Sequence, residues 1–332
     1  MKLIGLDVGY GFVKVTDGNL GYSFPSIIGD SSSGTIVLNF EKQQNILNNL
    51  RIEFEGKNYW LGKSSIKHSN YLYRDLSLTR DYGNDFEILF FGALSLFHSE
   101  FGNYIKVVTG LPPERMHLAD KLINKVKGER ALSIFHEGKP KKIKINVSDV
   151  EVVPQPLGTY WSEFANAIEH GEVDALGKIG IIDIGFRTSD FAVIQEQEYI
   201  SEKSRTIPIG MCNVYKEISS KLSAKYGIYK ESHSLDEAII KRGVKIAGKT
   251  HDISDLLDEC FEKLSQNIII EMNSNWMVDD FDQLVFTGGG SHSLSKFLLP
   301  YFSQSIQVAD PFTANSRGYL NWANYKWSTD KE

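Results

Sequence analysis

The stretch IIDIGFRTSDF, Ile181 to Phe191, carries two isoleucines straight into an aspartate, then a glycine, an aromatic and a Thr-Ser-Asp cluster. The apolar run has the composition of a buried strand, which puts Asp183 at the strand tip. A carboxylate taken out of water is costly unless a cation, a donor or solvent meets it there. A near copy opens the chain: LIGLDVGYGFVKV, Leu3 to Val15. Asp7 matches Asp183, Gly9 matches Gly185 and Tyr10 matches Phe186, each between two apolar runs. One Asp-x-Gly turn is ordinary turn chemistry. Two copies in the same strand-turn-strand setting predict an internal duplication. Two similar halves facing each other would aim both tips into one cleft.

The rest of the chain suits that plan. Its 332 residues exceed one small core and fit two ordinary domains. With 42% hydrophobic and 23% charged residues the composition is globular, not disordered. A net charge of -6 gives no global attraction to nucleic acid or to an anionic membrane. The basic run KPKKIK, Lys139 to Lys144, is expected to be a solvated strand edge and not a binding patch. Cys212 and Cys260 are too few for a disulfide framework and suit a reducing compartment. No stretch has the length of a membrane span and MKLIGL lacks a signal-peptide core, so a cytoplasmic location is expected.

Local patterns fill in the elements. RIEFEGKNYWLG alternates like a hairpin around Gly56, inside a small subdomain at about residues 31 to 62. Its Tyr59 and Trp60 are candidates for an exposed assembly surface; the alternative is that they fill the subdomain's own core. Asp85 to Phe101 is apolar nearly all round and predicts a buried helix. YIKVVTGLPPE predicts a buried strand ending in a Gly-Pro turn, and VEVVPQPLGTYWSEFANAI predicts strand, turn and helix. A domain boundary is expected near Tyr160. MCNVYKEISSKLSAKYG is helical by period and ends at Gly227. SLDEAIIKRG offers Ser234 as a cap and Gly243 as a terminator. A long amphipathic helix follows, then FDQLVFTGGGSHSLSKFLLPYF as strand, Gly-rich turn and helix.

The glycines of each tip free backbone N–H groups to approach an anion closely. The aspartates would hold a hydrated Mg²⁺, which prefers one or two carboxylates and keeps several waters. Lys14 and Thr188 lie within reach of the same tips. Gly288, Gly289 and Gly290, between a strand and a helix, would let a flat ring lie against bare backbone. Gly9-Tyr10-Gly11 partly matches a dinucleotide fingerprint, but Lys14 stands where the third glycine belongs and FVKVT continues as strand. No GxxxxGK[ST] loop occurs, the eight histidines lack metal-ligand spacing, and His292 is expected at the surface.

The order of these motifs resembles the actin, sugar-kinase and heat-shock-ATPase superfamily. Its phosphate 1, connect 1, phosphate 2, adenosine and connect 2 motifs look like LIGLDVGYGFVKV, VVPQPLGTYWSEF, GIIDIGFRTSDFAVI, LVFTGGGSHSL and ANSRGYLNWANY. Within it, GLDVGYGFVK, TGLP and ANSRGYLNW make the chain most similar to actin-like proteins of the plasmid-segregation ParM and archaeal actin-like type. The resemblance implies an α/β, actin-like duplicated fold: two α/β domains with mixed five-stranded sheets around a nucleotide cleft. Domain I would span 1–159, domain II 160–311 with a small insert at about 205–255, and residues 312–332 would return to domain I. It further implies an ATPase (ATP preferred, GTP possible) that assembles head to tail into filaments, with a DNA-binding adaptor as a candidate partner and no direct nucleic-acid or membrane contact.

Carried over by residue, Asp7 and Asp183 would serve Mg²⁺ and the attacking water, and Gln155 would orient that water. Lys14, with Gly9, Tyr10 and Gly11, would take the phosphates, as would Gly185, Phe186, Arg187 and Thr188. The adenine and its sugar would meet Gly288, Gly289, Gly290 and Ser291. Relatives place Glu-x-x-Lys on the SLDEAIIKRG helix, where counting back from Gly243 gives Asp236 and Ile239, so Lys241 is the substitute. Two other functions share the fold. A small-molecule kinase would need a base such as Asp190 or Asp183, and a regulatory ATPase would not polymerise.

Overall fold

The opening stretch forms two antiparallel strands, β1 (Lys2–Val8), buried from Ile4 on, and β2 (Phe12–Thr16), alternating in burial, paired so that Asp7 stands opposite Lys14. The computed structural model describes residues 1–30, 46–77, 83–99, 104–136, 139–169 and 177–328. The chain divides into two units, Met1–Ala165 with Asn315–Glu332, and Asn166–Ala314.

The first unit continues with β3 (Gly21–Pro25), β4 (Ile28–Asp30), β5 (Arg51–Phe54), β6 (Lys57–Leu61) and β7 (Leu72–Tyr73). Then come β8 (Tyr104–Leu111), β9 (Gly128–His136) and β10 (Lys139–Pro154). Its helices are α1 (Lys63–His68), α2 (Asn84–Ser95), α3 (Ala119–Val126) and α4 (Gln155–Glu169). The sheet order is β3-β2-β1-β8-β10-β9-β5-β6-β4-β7. β1 and β2 are antiparallel, whereas β8 lies parallel to both β1 and β10. The first five strands therefore form the expected mixed sheet.

The described strands of the small subdomain, of which residues 31–45 lie outside the described residues, belong to this same sheet. β10 is 16 residues long. It pairs with β9 through Lys139–Val147 and with β8 through Asn146–Pro154, with a register shift between Val147 and Asp149. One strand thus carries the sheet from the core into the subdomain, and a bulge re-aims it. The exposed Lys139, Lys141, Lys142 and Lys144 occupy its outer half, the solvated strand edge the sequence predicts. Trp60 is only 4% exposed and Tyr59 is half-buried against the first unit's core, so neither aromatic stands as a fully exposed assembly surface.

The second unit repeats the plan. β11 (Lys178–Ile184), β12 (Ser189–Gln195), β13 (Glu198–Tyr199) and β14 (Arg205–Ile207) precede α5 (Met211–Tyr226) and α6 (Asp236–Ile240). β15 (Gly243–Ile246), β16 (Lys249–Asp252), α7 (Ser254–Asn275), β17 (Gln283–Thr287), α8 (Ser291–Leu298) and β18 (Ser305–Gln307) complete it. The order is β13-β12-β11-β17-β18, with β14 also on β12. β11 is antiparallel to β12 and parallel to β17, which is parallel to β18. Two short pieces, β14 and β13, share the flank of β12 that the single strand β3 occupies on β2.

Two local expectations fail here. α6 starts after Leu235, and the Ser234 hydroxyl instead donates 2.8 Å to the Glu231 carbonyl, inside a separate turn. Gly243 begins β15, and Arg242 takes the left-handed backbone, φ 51. Gly227 does terminate α5, at φ 65. Glu217 and Lys221 of α5 interleave with Glu259 and Lys263 of α7, the Lys221–Glu259 contact measuring 2.7 Å. Hydrogen bonds from Lys221 and Lys263 hold the Glu259 carboxyl down to about 2. That contribution exists above the ordinary glutamate range and fades as pH falls toward 2; being exposed, it also weakens with salt.

The C-terminal helix, α9 (Ala314–Ser328), lies on the first unit's sheet opposite α2. Ile4, Leu6 and Val8 point toward Phe86, Phe90 and Phe91 of α2, leaving Gly5 and Asp7 on the α9 face. A Cβ at Gly5 would fall 2.0 Å from the Ser316 carbonyl oxygen, and one at Gly318 only 1.6 Å from the Gly158 oxygen of α4. Trp161 and Trp322 stack beside this crossing, centroids 4.4 Å apart. Backbone contact this close admits only glycine. Gly318→Ala should therefore cost more than about 3 kcal/mol, at or beyond the usual overpacking range. Gly227→Ala, with nothing within 4 Å, should cost only the left-handed penalty of about 1 kcal/mol. Urea midpoints of the two variants check the contrast.

Candidate functional site

Backbone pairing sets the site in the first unit. Lys14 pairs with both Asp7 and Ser23, and the register that sets Leu6 beside Thr109 puts Gly110 next to Asp7. Ser23, Lys14, Asp7 and Gly110 thus form one cross-strand row on the α9 face of the sheet. Asp7 is 5% exposed, and Lys14 Nζ donates 2.8 Å to its Oδ2. The cation that the buried carboxylate requires is its cross-strand neighbour. β10 ends at Pro154 and α4 begins at Gln155, so no turn intervenes; Gln155 is the first helical residue. Gln155 Cγ lies 3.0 Å, and the Tyr319 hydroxyl 2.0 Å, from where a Cβ of Gly110 would be. Asp7, Gly110 and Gln155 therefore gather at the carboxyl ends of three parallel strands, where open α/β sheets take ligands.

The tip itself is pinned by Ser26, which sequence inspection missed. Its hydroxyl donates 2.6 Å to the Gly9 carbonyl and its N–H donates 2.9 Å to that of Gly11. Tyr10 reaches out of the tip, donating 3.1 Å to the Ser77 carbonyl and accepting 2.7 Å from Arg115.

The second unit carries the matching row with different chemistry. Register places Thr206, Asp190, Asp183 and Thr287 side by side on neighbouring strands. Asp183 is 7% exposed and Asp190 3%. Where the first hairpin opposes a lysine to its aspartate, this one opposes a second aspartate. Two like charges directly across a strand pair repel, and a shared proton or a cation relieves them. Among the described residues no three or more His, Cys, Asp or Glu side chains gather as a metal cage. A Mg²⁺ that brings its own waters and phosphate oxygens fits a site of one or two carboxylates.

The glycines divide into two kinds. At Gly288, φ 86, a Cβ would fall 2.1 Å from Asp183 Oδ1, and at Gly290 one would meet Ile184 and Met211 at 2.8 Å. Ser291 is buried and donates 2.9 Å to the Gly288 carbonyl, closing the turn. These residues lock the turn onto the Asp183 strand. Only Gly289 is exposed, and the ring lying against it, 3.3 Å from its missing Cβ, is that of Phe312.

The second tip is closed by the Gly185 N–H donating 2.9 Å to the Thr188 carbonyl. The N–H groups of Met211 and Cys212 donate to the carbonyls of Gly185 and Phe186 at 3.1 and 2.7 Å, so the start of α5 holds the tip. Burial pushes the Cys212 thiol up, away from thiolate chemistry. Phe186 packs edge-on against Tyr215, and Arg187 donates 3.2 Å to the Pro208 carbonyl. Lys241 ends α6, exposed and paired with Glu237; Asp236 accepts 2.7 Å from the Tyr215 hydroxyl, and His292 is exposed as expected. Gly288→Ala should lower the unfolding free energy measured in urea by more than about 2 kcal/mol, from left-handed strain plus overpacking. Gly289→Ala, at the exposed member, should stay within about 1 kcal/mol.

Comparison with known proteins follows this division. Residues 5–158 match the model of the actin-like proteins' N-terminal domain, and 181–299 match that of the archaeal actin homologue MreB-like C-terminal domain. No curated protein sequence matches the chain. Among solved structures, a 15-stranded ParM filament from Clostridium botulinum aligns over 98% of this chain and 100% of its own, at 24% identity and TM-score 0.84. An archaeal actin homologue in complex with ADP aligns over 98% and 100%, at 20% identity and TM-score 0.80. At such identities these similarities are similarities of fold. No helix among the described residues is long and apolar enough to cross a membrane. Two hairpins of one design, a five-strand order repeated in both units and family models matched in both halves have one explanation: the chain belongs to the actin-like proteins and has their duplicated two-domain fold.

Proposed function

We propose that the chain is an ATPase that binds Mg-ATP through its two hairpins and assembles into nucleotide-dependent filaments, serving a cytoskeletal or DNA-segregation role in the cytoplasm. The observation that carries this is the pair of matched rows: a lysine-aspartate row in one hairpin, suited to anionic phosphate, and a double-aspartate row in the other, suited to a cation. Gly9 to Gly11 and Gly185 to Thr188 would line the phosphates. Lys14 is already held by Asp7, so a phosphate at this tip shares a cation that is in place beforehand, which limits reorganisation. Asp7 and Asp183 would hold Mg²⁺ through water, and the ion would neutralise phosphate charge.

Gln155 starts a helix whose backbone is fixed by Tyr319, which donates 3.2 Å to the Gln155 carbonyl. A side chain on so fixed a backbone suits orientation of an attacking water. Gly289 and Phe312 would meet the base, with Lys241 as a further nucleoside contact and GTP as the competing nucleotide. Filaments of ParM and of Alp12 among the solved relatives, and the ADP complex of the archaeal homologue, support assembly and nucleotide use. A kinase would need Asp190 or Asp183 to reach a substrate hydroxyl. Asp190, 3% exposed between Thr206 and Asp183, disfavours that alternative.

Saturating Mg-ATP should raise the melting temperature by several degrees, since a ligand at about 100 times its Kd adds about 2.7 kcal/mol to the native state. Asp183→Ala should abolish hydrolysis. Gln155→Ala should slow it by about tenfold or more while nucleotide affinity holds, because only orientation is lost. Sedimentation above a critical concentration with ATP, and none without it, checks assembly. A protein that stays monomeric while phosphorylating an added hydroxyl compound would be a kinase instead.

A further inference from the structure

Tyr10 and Phe186 occupy equivalent positions in the duplicated tips, yet they are anchored by different physics. Phe186 packs its ring on Tyr215, centroids 5.2 Å apart. Tyr10 is anchored through its hydroxyl. Arg115 Nη1 donates 2.7 Å to that oxygen, which in turn donates 3.1 Å to the Ser77 carbonyl. Arg115 stands in the helical turn Pro113–Leu118 that follows β8, and is only 9% exposed. A guanidinium is a planar cationic fork of N–H donors with no acceptor of its own. Donation from a cation polarises the phenol and strengthens its own bond to Ser77. The Ser77 N–H in turn donates 2.7 Å to Asp75 Oδ1.

The chain Arg115–Tyr10–Ser77 therefore holds the first tip through the Tyr10 side chain, in addition to Ser26, which binds the carbonyls of Gly9 and Gly11. Two glycines flank Tyr10 and give the tip little stiffness of its own. Its shape then depends on what holds the residue between them. We propose that Arg115 is a positioning residue for the first tip, acting through the Tyr10 hydroxyl to hold the tip's backbone N–H groups ready for the phosphates. The ligand in this statement rests on the ATP assignment above; the clamp does not.

The test uses the full chain with Tyr10→Phe, Arg115→Gln and the double substitution. Tyr10→Phe keeps the ring and removes only the hydroxyl, so its folding equilibrium in urea should weaken by no more than the roughly tenfold worth of one such hydrogen bond, even if Arg115→Gln is destabilised further. Without nucleotide, amide hydrogen exchange at Gly9 to Phe12 should speed up about tenfold in Tyr10→Phe, the worth of one charge-assisted hydrogen bond. With nucleotide, the KM for Mg-ATP should rise about tenfold while kcat changes little. The double substitution should be no worse than the worse single one, because both remove the same link. Additive effects, or tip exchange unchanged in Tyr10→Phe, would overturn the proposal. If the unsubstituted protein does not bind Mg-ATP, the ATP assignment fails, and the exchange experiment alone still decides the role of Arg115.

Discussion

Burying a carboxylate at the end of a strand is the constraint on which both halves of this molecule turn. The two hairpins share a backbone and an Asp-x-Gly tip, yet meet the constraint in opposite ways. In the first, the residue across the strand pair is Lys14, 2.8 Å from Asp7, and the charge is closed locally. In the second, that residue is Asp190, so a second carboxylate stands across from Asp183. The duplicated unit thereby carries a lysine-aspartate row in one half and a double-aspartate row in the other. The proposed function assigns phosphate to the first row and its metal to the second, so it draws on the pair and not on either hairpin alone.

Close backbone approach is the second organising factor. Gly5, Gly158 and Gly318 let α9 and α4 sit against the first unit's sheet and against each other, and that packing brings Tyr319 to Gln155 and Gly110. In the second unit Gly288 and Gly290 press their turn onto Asp183 and Ile184, and Gly210 lets α5 abut the tip. Most of these glycines serve contacts within the protein. The geometry of the candidate residues follows from them, since a side chain at any of these positions would push a helix or a turn away from the row it supports.

Much of the local structure was legible in the sequence. The two hairpins, the buried α2, the Gly227 terminus of α5 and the strand-turn-helix at Gly288 all follow from apolar period and turn chemistry. Asp7, Lys14, Asp183 and the glycine turns were legible too, because each lies within one hairpin or one turn. Where two local signals competed, local rules misjudged: Ser234 and Gly243 have the right composition for caps, but Leu235 and Arg242 took those places. Tyr59 and Trp60 alternate within a hairpin, and alternation does not say which face the rest of the sheet covers.

By itself the sequence determined the duplication, the strand tips and the identity of the charged groups on them, since these depend on residues a few positions apart. Only the tertiary structure decided that Thr206 and Thr287 complete the second row, that Arg115 and Ser26 grip the first tip, and that β10 joins the small subdomain to the core sheet. The physical reason is range. Hairpin and helix spacings are fixed by backbone geometry over a few residues, whereas parallel pairing and helix-on-sheet packing join segments far apart in the chain. Which side chains meet across that distance is set by the burial of the whole domain.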